Sequence, residues 1–182
     1  MIGLIIGIIA ALIVLVFIFY YNRFVSLDNG IDNALAQIDV QLKKRADLVP
    51  NLLNSVKGYM KHEKSIMTEV TEARKALLSA KNIQSKAKAG ADLQHALKSI
   101  FALAEAYPQL KANENFLQLQ NELSAIEDKV AYSRQYYNDS ILSYNNSVET
   151  VPGVWFAKLY NKKEKQAIKI SEEERAVPKV NF

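Results

Sequence analysis

The first 22 residues, MIGLIIGIIAALIVLVFIFYYN, carry no charged side chain, and this run constrains the chain more than any other feature. A bilayer's hydrocarbon core is about 30 Å thick and is crossed by about 20 apolar residues in helical conformation. The run closes with Phe17, Phe19, Tyr20 and Tyr21, followed by Arg23. Amphipathic rings and then a guanidinium suit the headgroup boundary. A cleaved secretory signal would want a basic start, an apolar stretch of about 7–15 residues and small residues at the cut. No Lys or Arg precedes Arg23, and Tyr20-Tyr21-Asn22 is a poor cleavage site. Residues 1–22 are therefore read as a retained, single-pass anchor in the bilayer and as the only one in the chain. Cations flanking a span favour the cytoplasmic side, so Arg23 places the N-terminus outside and the remainder in the cytoplasm. Gly3, Gly7 and Ala11 form a small-residue face that would let two such helices pack as a homo-oligomer.

After the anchor, few turn residues and abundant Ala, Leu, Lys, Glu and Gln favour long helices over strands. From Ile31 an apolar series runs through Leu35, Ile38, Leu42, Ala46, Val49, Leu53, Val56 and Met60 in steps of three and four. On a helical wheel these nine lie within about 40° of one line. Pro50 interrupts the series, and proline clashes with the carbonyl four residues back, so a kink near Ala46–Pro50 is expected. Asp28, Asp32 and Asp39 edge this stripe. A second helix is expected over 61–81, with Ile66, Val70, Ala73 and Leu77 inward. The stretch around Gly90 reads as its exit loop. A third helix is expected over 91–107, using Leu93, Leu97, Ile100 and Leu103 or Ala104, and ending before Pro108. The fourth, over 113–149, places Phe116, Leu119, Leu123, Ile126, Val130, Arg134, Tyr137, Ile141, Tyr144 and Val148 on one line. Val151-Pro152-Gly153 ends it, Val154-Trp155-Phe156 forms a small apolar cluster, and residues 158–182 read as a charged, mobile tail. The predicted fold is all-α: the transmembrane helix, then an antiparallel four-helix bundle over 23–157 with long first and last helices.

Several blocks of this sequence resemble the LemA family of bacterial membrane proteins. They are the N-terminal span, IDVQLKKRADLVPNLLNSVKGYMKHE at Ile38–Glu63, AEAYPQLKANENFLQLQNEL at Ala104–Leu123, SRQYYNDSILSYN at Ser133–Asn145, and the VPG turn. The resemblance covers nearly the whole chain. It implies a helical bundle tethered to the cytoplasmic (inner) membrane with a short external N-terminus. It implies no activity, and the frequent company of membrane metalloproteases implies an accessory role by association.

The chemistry of the side chains restricts function further. The chain has no cysteine, which excludes disulfides, zinc–thiolate sites and thiol catalysis. Its two histidines, His62 and His95, lack the spacing that puts two ligands on one helix face. No phosphate loop and no G-x-S-x-G occurs. The net charge of +4 is divided between two basic segments, unlike the single basic face of a nucleic-acid binder. No enzyme activity, metal, cofactor or nucleic-acid partner is expected. The polar residues that stand out are Arg134, in the middle of the fourth helix's apolar line, and Asn138 and Asn145 beside it, with Gln120 and Glu127. A buried guanidinium needs a partner or must reach the bundle edge. Asp39 is the leading partner for Arg134, with Asp32 and Glu127 as alternatives, in a role that sets helix register. The functional reading is a membrane-tethered scaffold or adaptor for an unidentified membrane or membrane-associated protein. The alternative is an accessory subunit of a membrane enzyme such as a metalloprotease.

Overall fold

A computed structural model describes residues 1–60 and 63–169. His62 and the tail beyond Lys169 lie outside the described residues. The described residues hold six helices and no strand: α1 (Ile2–Lys57), α2 (Lys64–Ser79), α3 (Ile83–Ala104), α4 (Pro108–Lys111), α5 (Glu114–Glu149) and α6 (Gly153–Leu159). Among them α1 is the one helix long and apolar enough to cross a membrane, and none of its 18-residue apolar window is buried within the protein. The apolar run and the first amphipathic stripe are one uninterrupted helix of 56 residues. Nothing between Tyr20 and Ile31 breaks it: the stretch has no proline, and Gly30, its weakest helix former, costs only about 1 kcal/mol.

The chain divides into two compact units, and both α1 and α5 are shared between them. The first unit contains residues 1–37 and 133–167. Phe24, Ile31 and Ala34 of α1 are buried there, as are Tyr137, Ile141, Tyr144 and Val148 of α5 and Ala157 of α6. The second unit contains residues 38–132, together with Ile168 and Lys169. Its core is Ile38, Leu42, Ala46, Val49, Leu52 and Val56 from α1, Met60 just after that helix, Val70 and Leu77 from α2, Leu93, Ala96, Leu97 and Ile100 from α3, and Phe116, Leu123, Ile126 and Val130 from α5. Each large aliphatic side chain buried in this way contributes about 1.5–3 kcal/mol. Phe101 of α3 meets Phe116 of α5 edge-on at 6.0 Å.

Three expectations about the helices change. Gly90 lies inside α3 and is buried rather than in a loop. The helix starts earlier because Asn82 and Ser85 form a capping box, in which the Asn82 side chain accepts from the Ser85 amide at 2.8 Å and Ser85 Oγ accepts from the Asn82 amide at 3.2 Å. The Ala- and Lys-rich segment that follows then propagates the helix through the glycine. Val154, Trp155 and Phe156, expected as a small apolar cluster after the fourth helix, belong to a short helix of their own, α6. On α1 and α5 the stripes rotate slightly from the expected lines. Leu52 is buried while Leu53 is only half-buried, and Ser133 is buried while Arg134 is only half-buried.

α1 continues through Pro50. Proline offers no amide to the Ala46 carbonyl, and Ala46 is fully buried. Arg74 of α2 supplies the missing donor, with its Nε donating to the Ala46 carbonyl oxygen at 2.7 Å. The helix therefore crosses the proline without leaving this buried acceptor unsatisfied. The start of α5 is capped by Asn113, whose side-chain oxygen accepts from the Phe116 amide at 3.1 Å.

Candidate functional site

In the first unit the end of the apolar run is gripped by α6. The Tyr20 ring stacks on Phe156 with centroids 4.5 Å apart and planes 5° from parallel. Phe17 meets Phe156 edge-on at 5.1 Å, and Tyr21 meets Tyr160 edge-on at 5.6 Å. The Tyr160 hydroxyl donates to the Phe17 carbonyl at 3.1 Å. Gly153 makes this seating possible: a Cβ there would drive into the Ser147 carbonyl oxygen and would also meet Tyr20 at 3.7 Å. The Val151–Pro152 peptide just before it is cis. Arg23, the first cation after the run, donates from Nε to Ser147 Oγ at 3.2 Å.

One turn further along α1, Asp28 is half-buried between two lysines. Lys162 Nζ lies 2.5 Å from one carboxylate oxygen and Lys165 Nζ 2.6 Å from the other. Burial alone would raise the Asp28 pKa, but the hydrogen bonds and charges of Lys162 and Lys165 outweigh it and hold the carboxyl below its ordinary value. The hydrogen bond to Asp28 raises Lys162 in return. Lys165 Nζ also sits 4.9 Å from the Tyr144 ring centroid. Burial pushes the Tyr144 hydroxyl upward, and the negative Asp28 adds to that shift. Asn145 pairs twice with the backbone of Lys165: its amide donates to the Lys165 carbonyl and its oxygen accepts from the Lys165 amide, each at 2.9 Å. Residues 162–165 have no regular secondary structure, yet they are attached to both α1 and α5 by these bonds.

The second unit contains a cavity of about 160 Å³ lined in part by Arg45, Gln94, Lys98, Gln120, Ser124 and Glu127. Arg45 is only 2% exposed and donates to the Gly90 carbonyl at 3.2 Å. Gln94 hydrogen-bonds Glu127, and Lys98 lies 3.8 Å from the same carboxylate. Nearby in sequence, Asp39 receives Lys86 of α3, whose Nζ is 2.7 Å from each carboxylate oxygen. Gln41 Oε1 is buried without a hydrogen-bond partner among the described residues.

Of the polar residues that stand out in the sequence, Asn145 thus grips Lys165 and Asp39 grips Lys86. Arg134 and Asn138 are half-buried on α5. Asp32 is exposed, and Glu127 borders the cavity. Gly3, Gly7 and Ala11 are exposed, and no atom lies within 4 Å of a Cβ built at either glycine. Sequence reasoning missed Arg45, Asp28's two lysines and the role of Gly153. Arg45 was visible in principle, since it stands three residues after Leu42 and four before Val49 on the first stripe. Lys162 and Lys165 carried no local signal, because they lie in a segment without helical periodicity. Among the described residues no group of three or more His, Asp or Glu side chains is arranged to hold a metal ion.

Described residues that hold helices and no strand, with one long apolar helix among them uncovered and an aromatic collar at the end of its apolar run, define a membrane-associated helical protein. The LemA family model matches residues 34–182, and the chain belongs to that family. It is similar to Protein LemA of Metamycoplasma hominis, at 28% identity over 143 residues that cover 74% of this chain and 64% of the relative. It is also similar to Magnetosome protein MamQ of Magnetospirillum gryphiswaldense, at 23% identity over 163 residues, 75% of this chain and 60% of the relative. Magnetosome protein MamQ 1 of Paramagnetospirillum magneticum is 26% identical with the same coverage. The chain spans less than two thirds of the length of these curated relatives.

Proposed function

We propose that the protein is a non-enzymatic, membrane-tethered scaffold or adaptor, anchored by residues 1–22 with its helical part in the cytoplasm as a four-helix bundle. One observation carries this reading. The uncovered apolar run continues without a break into helix with a buried face, so the anchor and the start of the helical domain belong to a single helix. A tether of that kind keeps whatever the helical domain binds close to the lipid. The polar clusters support the same reading: Asp28, Asp39 and Asn145 each bond to partners within the chain, as residues that fix helix positions do. The magnetosome proteins among the relatives are named for an assembly rather than for a reaction, in keeping with a structural role.

Topology is tested by adding protease to intact spheroplasts. The helical domain should survive and be cut only after lysis, whereas digestion with the inner membrane sealed would reverse the orientation. The role is tested by crosslinking the full-length chain in its membrane and identifying what is joined to it. Copies of itself or several different clients would support the scaffold. A single stoichiometric enzyme, such as a membrane metalloprotease, would replace it with the accessory-subunit reading.

A further inference from the structure

We propose that α6 is a second, interfacial membrane contact, laid into the headgroup region beside the end of the span. This inference rests on the reading that residues 1–22 cross the bilayer. α6 is fixed at a definite height on α1 by the Phe17, Tyr20 and Tyr21 contacts with Phe156 and Tyr160. From Phe17 to Arg23 a helix rises about 9 Å, comparable to the roughly 5–8 Å headgroup layer on each side of a bilayer. α6 therefore lies at the level where aromatic residues collect.

Of the three exposed residues of α6, Trp155 and Leu159 are apolar and the third is Lys158. Trp155 is 63% exposed, Leu159 61% and Val151, in the turn before the helix, 70%. Their spacing of four residues would place Trp155 and Leu159 on one helical face, with Val151 preceding them along the chain. Isolated exposed hydrophobes are ordinary. Here two stand on the helix packed against the end of a membrane span and the third in the turn that leads into it. Lys158 and Lys163 are exposed nearby and are not engaged by Asp28, leaving two cations able to meet lipid phosphate. A tryptophan flanked by aliphatic residues and lysines matches the composition of helices that lie in the interface plane, buried about 5–10 Å at the headgroup and acyl boundary. The occupant of this face is the phospholipid surface itself. With two attachments the first unit is fixed in tilt and rotation as well as height.

Trp155 is the chain's only tryptophan, so the native protein reports on this contact. The full-length chain is reconstituted into vesicles of phosphatidylcholine and phosphatidylglycerol, with lipids brominated either near the headgroup or near the acyl terminus. The expected result is a blue-shifted emission, loss of quenching by aqueous iodide, and stronger quenching by the shallow bromines than by the deep ones. Leu159→Glu with Val151→Glu should shift the emission back to the red while the protein stays in the membrane. Water-like emission open to iodide, in protein that resists alkaline extraction, would overturn the interfacial contact and leave the span intact. Extraction by alkali would overturn the span, and the contact with it. Blue-shifted emission insensitive to either bromolipid would mean that a second copy of the chain covers the face, which also overturns the proposal.

Discussion

Replacing Arg74 should destabilise the protein strongly with Pro50 present and only weakly without it. The Ala46 carbonyl would ordinarily accept the amide of residue 50, and Pro50 has none. Arg74 Nε replaces it at 2.7 Å, a charge-assisted bond to a carbonyl of a fully buried residue. Arg74→Met keeps most of the apolar stem but removes the donor. Hydrogen bonds involving a charged group contribute about 1.5–3 kcal/mol, and orphaning the buried acceptor is part of that cost, so the loss should be about 2–3 kcal/mol. Pro50→Ala restores an amide four residues from Ala46 and removes the ring. An interior proline costs about 3 kcal/mol relative to alanine, but Arg74 already offsets the lost bond here, so a gain of about 1–2 kcal/mol is expected. In that background Arg74→Met should cost about 0.5 kcal/mol, giving a coupling of at least about 1 kcal/mol between two residues of different helices. The assay is denaturant unfolding of the full-length chain and its three variants in micelles, followed by circular dichroism. Equal cost of Arg74→Met in both backgrounds would refute the reasoning, since the arginine would then not be replacing the missing amide.

Gly153→Ala forces a methyl into the Ser147 carbonyl and should cost about 1–3 kcal/mol; limited proteolysis in the turn at 150–153 should accelerate, and an unchanged cleavage rate would contradict the packing described. Gly30→Ala places a methyl where nothing lies within 4 Å, so α1 should gain about 0.5–1 kcal/mol in unfolding free energy. Asp28 has a folded pKa below its unfolded value of about 3.9, so its contribution is present above that pH and is lost as pH falls through the folded value. Lys162 is raised, so its contribution is present below its unfolded pKa of about 10.4 and is lost as pH rises through the folded value. Melting temperatures measured across pH should show both limbs, and Asp28→Asn should flatten each of them.

What the residues alone determined is what depends on local chain properties. An uncharged run of membrane length, terminal aromatics and a following arginine are legible without tertiary contacts, because a bilayer acts on hydropathy and length. The helices themselves were legible through periodicity, and α5 emerges over Glu114–Glu149, almost the segment its stripe marked out. Where periodicity was weak the reading failed: α3 begins at its Asn82 cap rather than after Gly90, since a capping box outweighs one glycine. Tertiary structure decided every pairing. A helical wheel ranks residues within one helix and contains nothing about what faces them. It therefore singled out Arg134, while the arginine that becomes buried is Arg45. It set Asp39 beside the stripe without revealing that Lys86 of α3 would approach from outside α1. The Ala46 carbonyl left open by Pro50 was legible, but its donor, 28 residues away on α2, was not. Partner identity depends on which helix faces come together, and that is settled by burial of all the apolar stripes at once.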